Sequence, residues 1–254
     1  MKYILLIIFI ILYLCFNKKE GFSPIHKSNV RFDDNIIDDF YVDIYYDIYD
    51  INLNNLIAKN IIKIIKNNNT NILCIGSKSG HMLELLSKVN VTGLENNDSF
   101  INKSKKIYNH KVIKGNYNNI NLFNNNFTHI VIPLFVIHLY KDLDYFFKIM
   151  YKWVKYNGYI SITYLSNWDD YDVLLNDNPS FNANYNIEIN EYVGGIILKE
   201  KITNKSGKIK RKNIWSYNNI TLENLKYNSS LKDFKFIENV NIKGNINICT
   251  LQKN

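Results

Sequence analysis

Hydrophobic and polar residues are arranged in three ways along the chain. The first is a continuous apolar run, "YILLIIFIILYLCF" at residues 3–16, with Lys2 before it and Asn17, Lys18 and Lys19 after it. As a helix it reaches roughly 21 Å, short of the ~30 Å hydrocarbon core, and snorkelling by Lys2 and Lys18 closes part of the gap. The following "LCFNKKEGFS" offers no small-x-small cleavage site, so the expectation is an uncleaved N-terminal transmembrane anchor over 1–19 rather than a signal peptide. Lys18 and Lys19 favour a cytosolic body by the positive-inside rule, whereas Lys2 and the amino terminus oppose it. Several Asn-x-Ser/Thr sequons, Asn90 and Asn126 among them, flank elements expected to pack tightly. The body is therefore placed on the cytosolic side of a host or viral membrane. Residues 20–35 read as a tether.

The second arrangement is helical spacing followed by short apolar runs. Residues 36–66 read as helix, with Leu53, Leu56, Ile57, Ile61, Ile64 and Ile65 on one face. Strands are then expected at 71–75, 90–95, 111–114, 129–135 and 159–165, with helices at 80–88, 99–108 and 141–155, the last stopped by "YNG" at 156–158. Repeated βα units predict a mainly parallel sheet covered by helices on both faces, an α/β fold.

The third arrangement is strict alternation. Residues 185–218 alternate apolar and polar positions, with turn signals at Gly194-Gly195 and Ser206-Gly207, and read as an antiparallel β insertion. A short helix near 221–233 and a final strand pair, "FKFIENVNI" and "NINICTLQ", complete one domain over 36–254.

Composition adds limits. The chain has 254 residues, of which 46% are hydrophobic, enough for a buried core. Asn, Ile, Lys and Tyr are over-used; their codons are AT-rich, which points to an AT-rich genome such as that of a large DNA virus or a parasite. The net charge of +8 comes almost wholly from lysine, since arginine occurs only at 31 and 211. Scattered lysine reads as a solvated surface, or next as attraction to anionic lipid, rather than as an Arg-rich nucleic-acid reader. Cys15, Cys74 and Cys249 show no metal-ligand spacing, which predicts a reducing compartment and no metal site.

The chemistry centres on "ILCIGSKSGHMLELL", a strand, a glycine loop and a helix. "GSKSGH" does not supply the G-x-G-x-x-G of a dinucleotide enzyme. Five segments resemble, in order, landmarks of the class I S-adenosylmethionine-dependent methyltransferases of the methyltransferase type 11 kind: this loop, "VTGLENNDSFINKSKK", "VIKGNY", "NNFTHIVIPLFVIHLYKDL" and "WVKYNGYISI". The resemblance covers roughly residues 40–254. It implies a Rossmann-like sheet of order 3-2-1-4-5-7-6 with strand seven reversed, a β-hairpin insertion after strand five, and S-adenosylmethionine as cofactor.

It also implies site residues. Cys74, Gly76, Ser77, Lys78 and Gly80 form the cofactor loop, Glu95 faces the ribose with Asn96 beside it among the cofactor-binding residues, and Asn116 and Tyr117 face the adenine. His138 falls near the methyl group as the candidate for catalysis. Tyr45, on a helical face with Tyr41 and Tyr49, and Tyr164 and Trp168 after strand five are candidates for a substrate pocket. Cys74, Lys78, Asn116 and Thr128 depart from the family pattern, which has Asp or Glu, Gly, Asp and Asp at those places. Lys78 is expected at negative φ with its side chain toward solvent, or else against the cofactor carboxylate. "IPLF" in place of "[DN]PP[YF]" disfavours methylation of DNA amino groups, and no Pro-Cys pair supports cytosine C5 chemistry. The basic tip at 204–213 is a candidate contact for lipid headgroups or RNA, or a charged guard of a β edge. The sequence thus reads as a membrane-anchored methyltransferase acting on an unidentified small-molecule or protein acceptor. The alternative is a catalytically degenerate methyltransferase fold acting as a membrane-tethered binding or scaffold module.

Overall fold

The computed structural model describes residues 30–65, 70–169, 171–176, 183–204 and 209–254. The expected anchor at 3–16, Cys15, most of the tether, Asp170 and the turn at Ser206-Gly207 lie outside the described residues. Among the described residues no helix is long and apolar enough to cross a membrane.

The helical run expected over 36–66 is two helices, α1 (Asp39–Ile48) and α2 (Ile51–Ile64). The break comes from Asp50, whose carboxylate accepts from the Asn52 amide at 2.9 Å and caps α2, a role this residue type prefers to a helix interior. Asp38 caps α1 in the same way through Tyr41 N. The break turns α2 so that Leu53, Ile57, Ala58 and Ile61 are buried, while Leu56 is exposed.

The βα units follow as β2 (Asn71–Ile75), α3 (His81–Leu85), β3 (Asn90–Glu95), α4 (Asp98–Ile107), β4 (Val112–Lys114), β5 (Phe127–Ile132), α5 (Leu143–Trp153) and β6 (Val154–Leu165). β6 starts five residues before the expected 159, because "YNG" forms a bulge inside the strand instead of a helix stop. Asn157 takes a φ of +58°, and the register against β5 shifts between Phe127 and His129. Three strands of ten residues each follow: β7 (Ala183–Tyr192), β8 (Gly195–Asn204) and β9 (Ile209–Asn218). After α6 (Leu222–Ser230), β10 (Phe234–Lys243) and β11 (Ile246–Lys253) form the expected pair.

The main sheet has the order β10-β11-β6-β5-β2-β3-β4, with β11 antiparallel to both neighbours. Counted within the sheet this is 3-2-1-4-5-7-6 with strand seven reversed, as the resemblance implies. The insertion is larger than a hairpin. β7, β8 and β9 form a meander, and β1 (Val30–Phe32), in the stretch expected to be a tether, pairs parallel with β9 to make a separate sheet of order β1-β9-β8-β7. The pairing closes the outer edge of β9, which the meander alone leaves open.

Alternation along the strands divides the core between the two faces of the main sheet. Leu73, Ile130, Ile160 and Ile162 pack with Phe146, Phe147 and Trp153 of α5 and with Leu225 of α6. On the other face, Ile72, Cys74 and Val131 pack with α1 and α2. The same cluster continues through Phe135, Trp168 and Tyr171 to Ile196, Leu198, Trp215 and Tyr217 of the second sheet. The second sheet therefore sits on the loops that leave β5 and β6, at the C-terminal ends of the parallel strands.

Candidate cofactor site

A cleft of about 740 Å³ opens at the C-terminal ends of β2, β3 and β5. One wall is the loop from Gly76 to Gly80. Gly76 has a φ of +72°, and a Cβ there would lie 2.5 Å from Val136 Cγ2, so the loop can approach the segment after β5 only with glycine in this place. Gly76 N donates to Leu94 O at 2.8 Å and ties the loop to β3.

Glu95, the last residue of β3, is buried against the cleft. Its carboxylate accepts three backbone N–H groups: Lys78 N on Oε2, and Asn96 N and Asn97 N on Oε1, each at 2.9 Å. Burial raises the carboxyl's pKa; the three amides and the nearby Lys78 ammonium offset part of this. Further along the cleft, Tyr117 is buried with its ring centroid 4.4 Å from that of Tyr140 and 5.6 Å from that of Phe146. Asn116 also lines the cleft, its side-chain oxygen accepting from Asn118 N at 2.8 Å.

Lys78 departs from expectation. Its φ is +52° rather than negative, and its side chain turns inward. Nζ donates to the Tyr45 hydroxyl and to Leu134 O at 3.3 Å, and lies 4.7 Å from the centre of the Tyr45 ring. Burial lowers its pKa to about 8, against the opposing pull of Glu95 and Cys74. Tyr45 thus reaches the site through Lys78 without lining the cleft.

Gly76, Lys78, Glu95, Asn96, Asn116 and Tyr117 all line this cleft. The other candidates fall elsewhere. Cys74 is fully buried on the opposite face of β2 from Ile75, its thiol pushed up by burial, and does not line the cleft. Ser77 is buried with its hydroxyl against Gly93, and Gly80, at a φ of +88°, caps the short α3 beside Ser104. Tyr164 shares the parity of Ile160 and Ile162, so it points to the α5 and α6 side and donates to Asn239 Oδ1 at 3.1 Å. Trp168 is buried in an aromatic stack with Tyr171 and Tyr217 beneath the second sheet. Thr128 lies at the far end of β5, where its hydroxyl accepts from Asn71 N and ties β5 to β2.

His138 is a brace. It is fully buried; its Nδ1–H donates to Asn218 O at 2.9 Å, and Nε2 accepts from Leu165 N at 3.0 Å. Both ring nitrogens are engaged, and burial lowers its pKa to about 4. The residue therefore joins the loop after β5 to the ends of β6 and β9 and is not placed for proton transfer. The basic tip is also altered. Arg211 is buried, with Nη1 2.7 Å from Asp38 Oδ1 and Nε 2.6 Å from Asn213 Oδ1, so it ties β9 to the cap of α1 and is not free for lipid or RNA. Sequence reasoning missed Tyr140 and Tyr145, which join Tyr117 along the cleft. Tyr140 stands in the loop after β5 and Tyr145 in the first turn of α5, and that place beyond a central parallel strand is the signal that would have found them.

Residues 73–162 match the family described as Methyltransferase domain. No curated protein matches the chain. Among solved structures, an S-adenosylmethionine-dependent methyltransferase from Clostridium acetobutylicum ATCC 824 is similar with a TM-score of 0.65 and 13% identity, over 84% of this chain and 96% of that one. The PH0226 protein from Pyrococcus horikoshii OT3 is similar with a TM-score of 0.68 and 12% identity, over 86% and 100%. CalS10 with SAM bound, an amino pentose methyltransferase from Micromonospora echinaspora, is similar with a TM-score of 0.56 and 11% identity, over 80% and 91%. The chain has the fold of these proteins, two of them methyltransferases, and its segment from β2 to β6 matches the methyltransferase domain in sequence.

Proposed function

We propose that this chain is an S-adenosylmethionine-dependent methyltransferase that holds its cofactor in the cleft between Gly76, Glu95 and Tyr117. The observation that carries the reading is the Glu95 carboxylate. It ends β3 at the cleft, and three backbone amides fix its position while leaving one of its roughly four acceptor positions for a ribose hydroxyl. Tyr117 and Tyr140 offer an aromatic wall for a purine. The departures from the family pattern at Cys74 and Thr128 lie outside the cleft lining and leave this wall intact.

The cofactor supplies an activated methyl group on sulfur. The chain's part is to bind and orient the donor, to exclude water and to hold an acceptor in line, which by itself gives much of the rate in such a displacement. With His138 committed to structure, the acceptor brings its own lone pair, or loses its proton to solvent.

Titration calorimetry of the full chain with S-adenosylhomocysteine is expected to show binding at micromolar to sub-millimolar concentration. Glu95→Ala is expected to weaken it by roughly 1–3 kcal/mol, the value of charge-assisted hydrogen bonds. Neither heat nor thermal stabilisation at millimolar ligand would remove the cofactor from this fold and leave a binding or scaffold module.

Residues 3–16 complete the proposal as a membrane anchor, with the body on the cytosolic side. The support is the uncharged run itself, since burial of its apolar side chains favours the bilayer along its whole length. The full chain is expected to stay with membranes through high salt and carbonate. Release by salt alone would mean that surface lysines hold it there, and a glycan on Asn90 or Asn126 would reverse the topology.

A further inference from the structure

Among the described residues, the Lys78 ammonium at the cleft forms no ion pair. Lys78 lines the cleft together with Gly76. Its ammonium carries three protons, and two go to the Tyr45 hydroxyl and Leu134 O. Among the described residues no carboxylate lies within ion-pair distance of Nζ. The nearest acid, Glu95, has its oxygens turned to three backbone amides. The aromatic rings of Tyr45 and Phe135, with centres 4.7 and 5.6 Å away, replace water around the charge. A group so placed is stabilised by an anion arriving in the cleft. The side of the loop where the resemblance implies an acid for the cofactor's amino group holds Cys74 instead, buried and facing away from the cleft.

We propose that Lys78 binds the carboxylate of the cofactor's amino-acid tail, so that this chain selects its cofactor by the tail's negative group rather than by its amine. The inference rests on the cofactor reading above. A nucleoside with its base on Tyr117 and its ribose on Glu95 directs its 5′ substituent along the Gly76–Lys78 wall. The third Lys78 proton then has an acceptor, and the pKa, held near 8 by burial, returns upward. The left-handed φ of Lys78 serves this end, because it turns the side chain into the protein where an extended loop residue would face solvent.

The test uses the full chain and three ligands that share the adenosine and sulfur: S-adenosylhomocysteine, its decarboxylated counterpart S-adenosyl-3-thiopropylamine, and 5′-methylthioadenosine, which lacks the tail. The native chain is expected to bind S-adenosylhomocysteine at least about tenfold more tightly than the decarboxylated ligand, the scale of one charge-assisted contact. Lys78→Met, which keeps the stem and removes the charge, is expected to erase that preference and to leave the affinity for 5′-methylthioadenosine within about twofold, a change of no consequence on this scale. Lys78→Arg is expected to keep the preference. Tighter binding of S-adenosylhomocysteine by Lys78→Met would show that the lysine blocks the cleft and would overturn the proposal, as would equal binding of the three ligands by the native chain. Loss of all three ligands in Lys78→Met with an unchanged melting temperature would assign Lys78 to shaping the nucleoside site and would overturn it as well. If the native chain binds none of the three, the cofactor reading itself falls and the inference with it.

Discussion

Replacing Glu200 by alanine is expected to cost the fold about 3–5 kcal/mol, measured by chemical denaturation of the full chain at neutral pH. Glu200 is 1% exposed at the centre of β8 and gathers five side-chain donors. Oε1 accepts from the hydroxyls of Tyr41 and Tyr49 at 2.9 Å and of Tyr185 at 2.6 Å. Oε2 accepts from Asn213 Nδ2 at 2.7 Å and from Trp215 Nε1 at 2.9 Å. The donors come from α1 and its end, from β7 and from β9, so one carboxylate fastens the helix that carries Tyr45 to the second sheet. Asn213, its direct cross-strand partner, also accepts from Arg211, which reaches on to Asp38 at the cap of α1. Removing the carboxylate leaves these buried donors without an acceptor, and an unmade buried hydrogen bond costs more than a made one contributes. Glu200→Gln separates this account from simple cavity formation. The amide oxygen can face Asn213 and Trp215 while its NH2 donates to two of the three hydroxyls, which rotate to accept. The expected loss for Gln is about 1–2 kcal/mol. Equal losses for Ala and Gln would deny the donor network its role, and a loss under about 1 kcal/mol for Ala would place Glu200 among ordinary surface substitutions.

The same cluster marks the boundary of what a single sequence tells. The βα order was legible because periods of two and 3.6 are local properties of the chain, and the resemblance of five ordered segments added the sheet order that the structure has. Glu95 and Tyr117 came from the resemblance, and both line the cleft beyond the ends of the parallel strands. Destinations set by tertiary packing were not legible. Lys78 in a loop reads as solvent-facing, whereas its positive φ and its bonds to the Tyr45 hydroxyl and Leu134 O are set by residues far along the chain. Arg211 reads as part of a basic tip, because nothing nearby in sequence reveals that Asp38, 173 residues away, meets it. Val30–Phe32 is three residues long, too short for its alternation to stand out from a tether. Tyr164 is different: its parity with Ile160 and Ile162 was present in the sequence and points it away from the substrate side.

Acidification is expected to weaken the fold through His138 and His129 between about pH 6.5 and pH 4. Both imidazoles are buried, and burial lowers each pKa to about 4 from 6.5. His129 is held by Ser161 Oγ at 2.9 Å, and His138 by Asn218 O and Leu165 N. As pH falls below 6.5 the unfolded chain takes up protons that the folded chain refuses until about pH 4. The stabilising contribution is therefore complete above 6.5 and lost on the way down to 4. A difference of 2.5 pK units corresponds to roughly 3 kcal/mol per histidine. Glu95 works in the opposite sense at the lower end of this window, because its raised pKa favours proton uptake by the folded chain. A comparison at one site separates the two. Urea midpoints of the native chain and of His138→Asn are to be measured at pH 7 and pH 4.5. At pH 7 the variant is expected to be less stable by roughly 2–3 kcal/mol, because the Leu165 amide loses its acceptor. Its further loss on going to pH 4.5 is expected to be smaller than that of the native chain by roughly 2 kcal/mol, since one refused proton has been removed from the fold. An identical pH response in the two proteins would show that His138 does not titrate on unfolding and that its place between β6 and β9 carries no proton linkage.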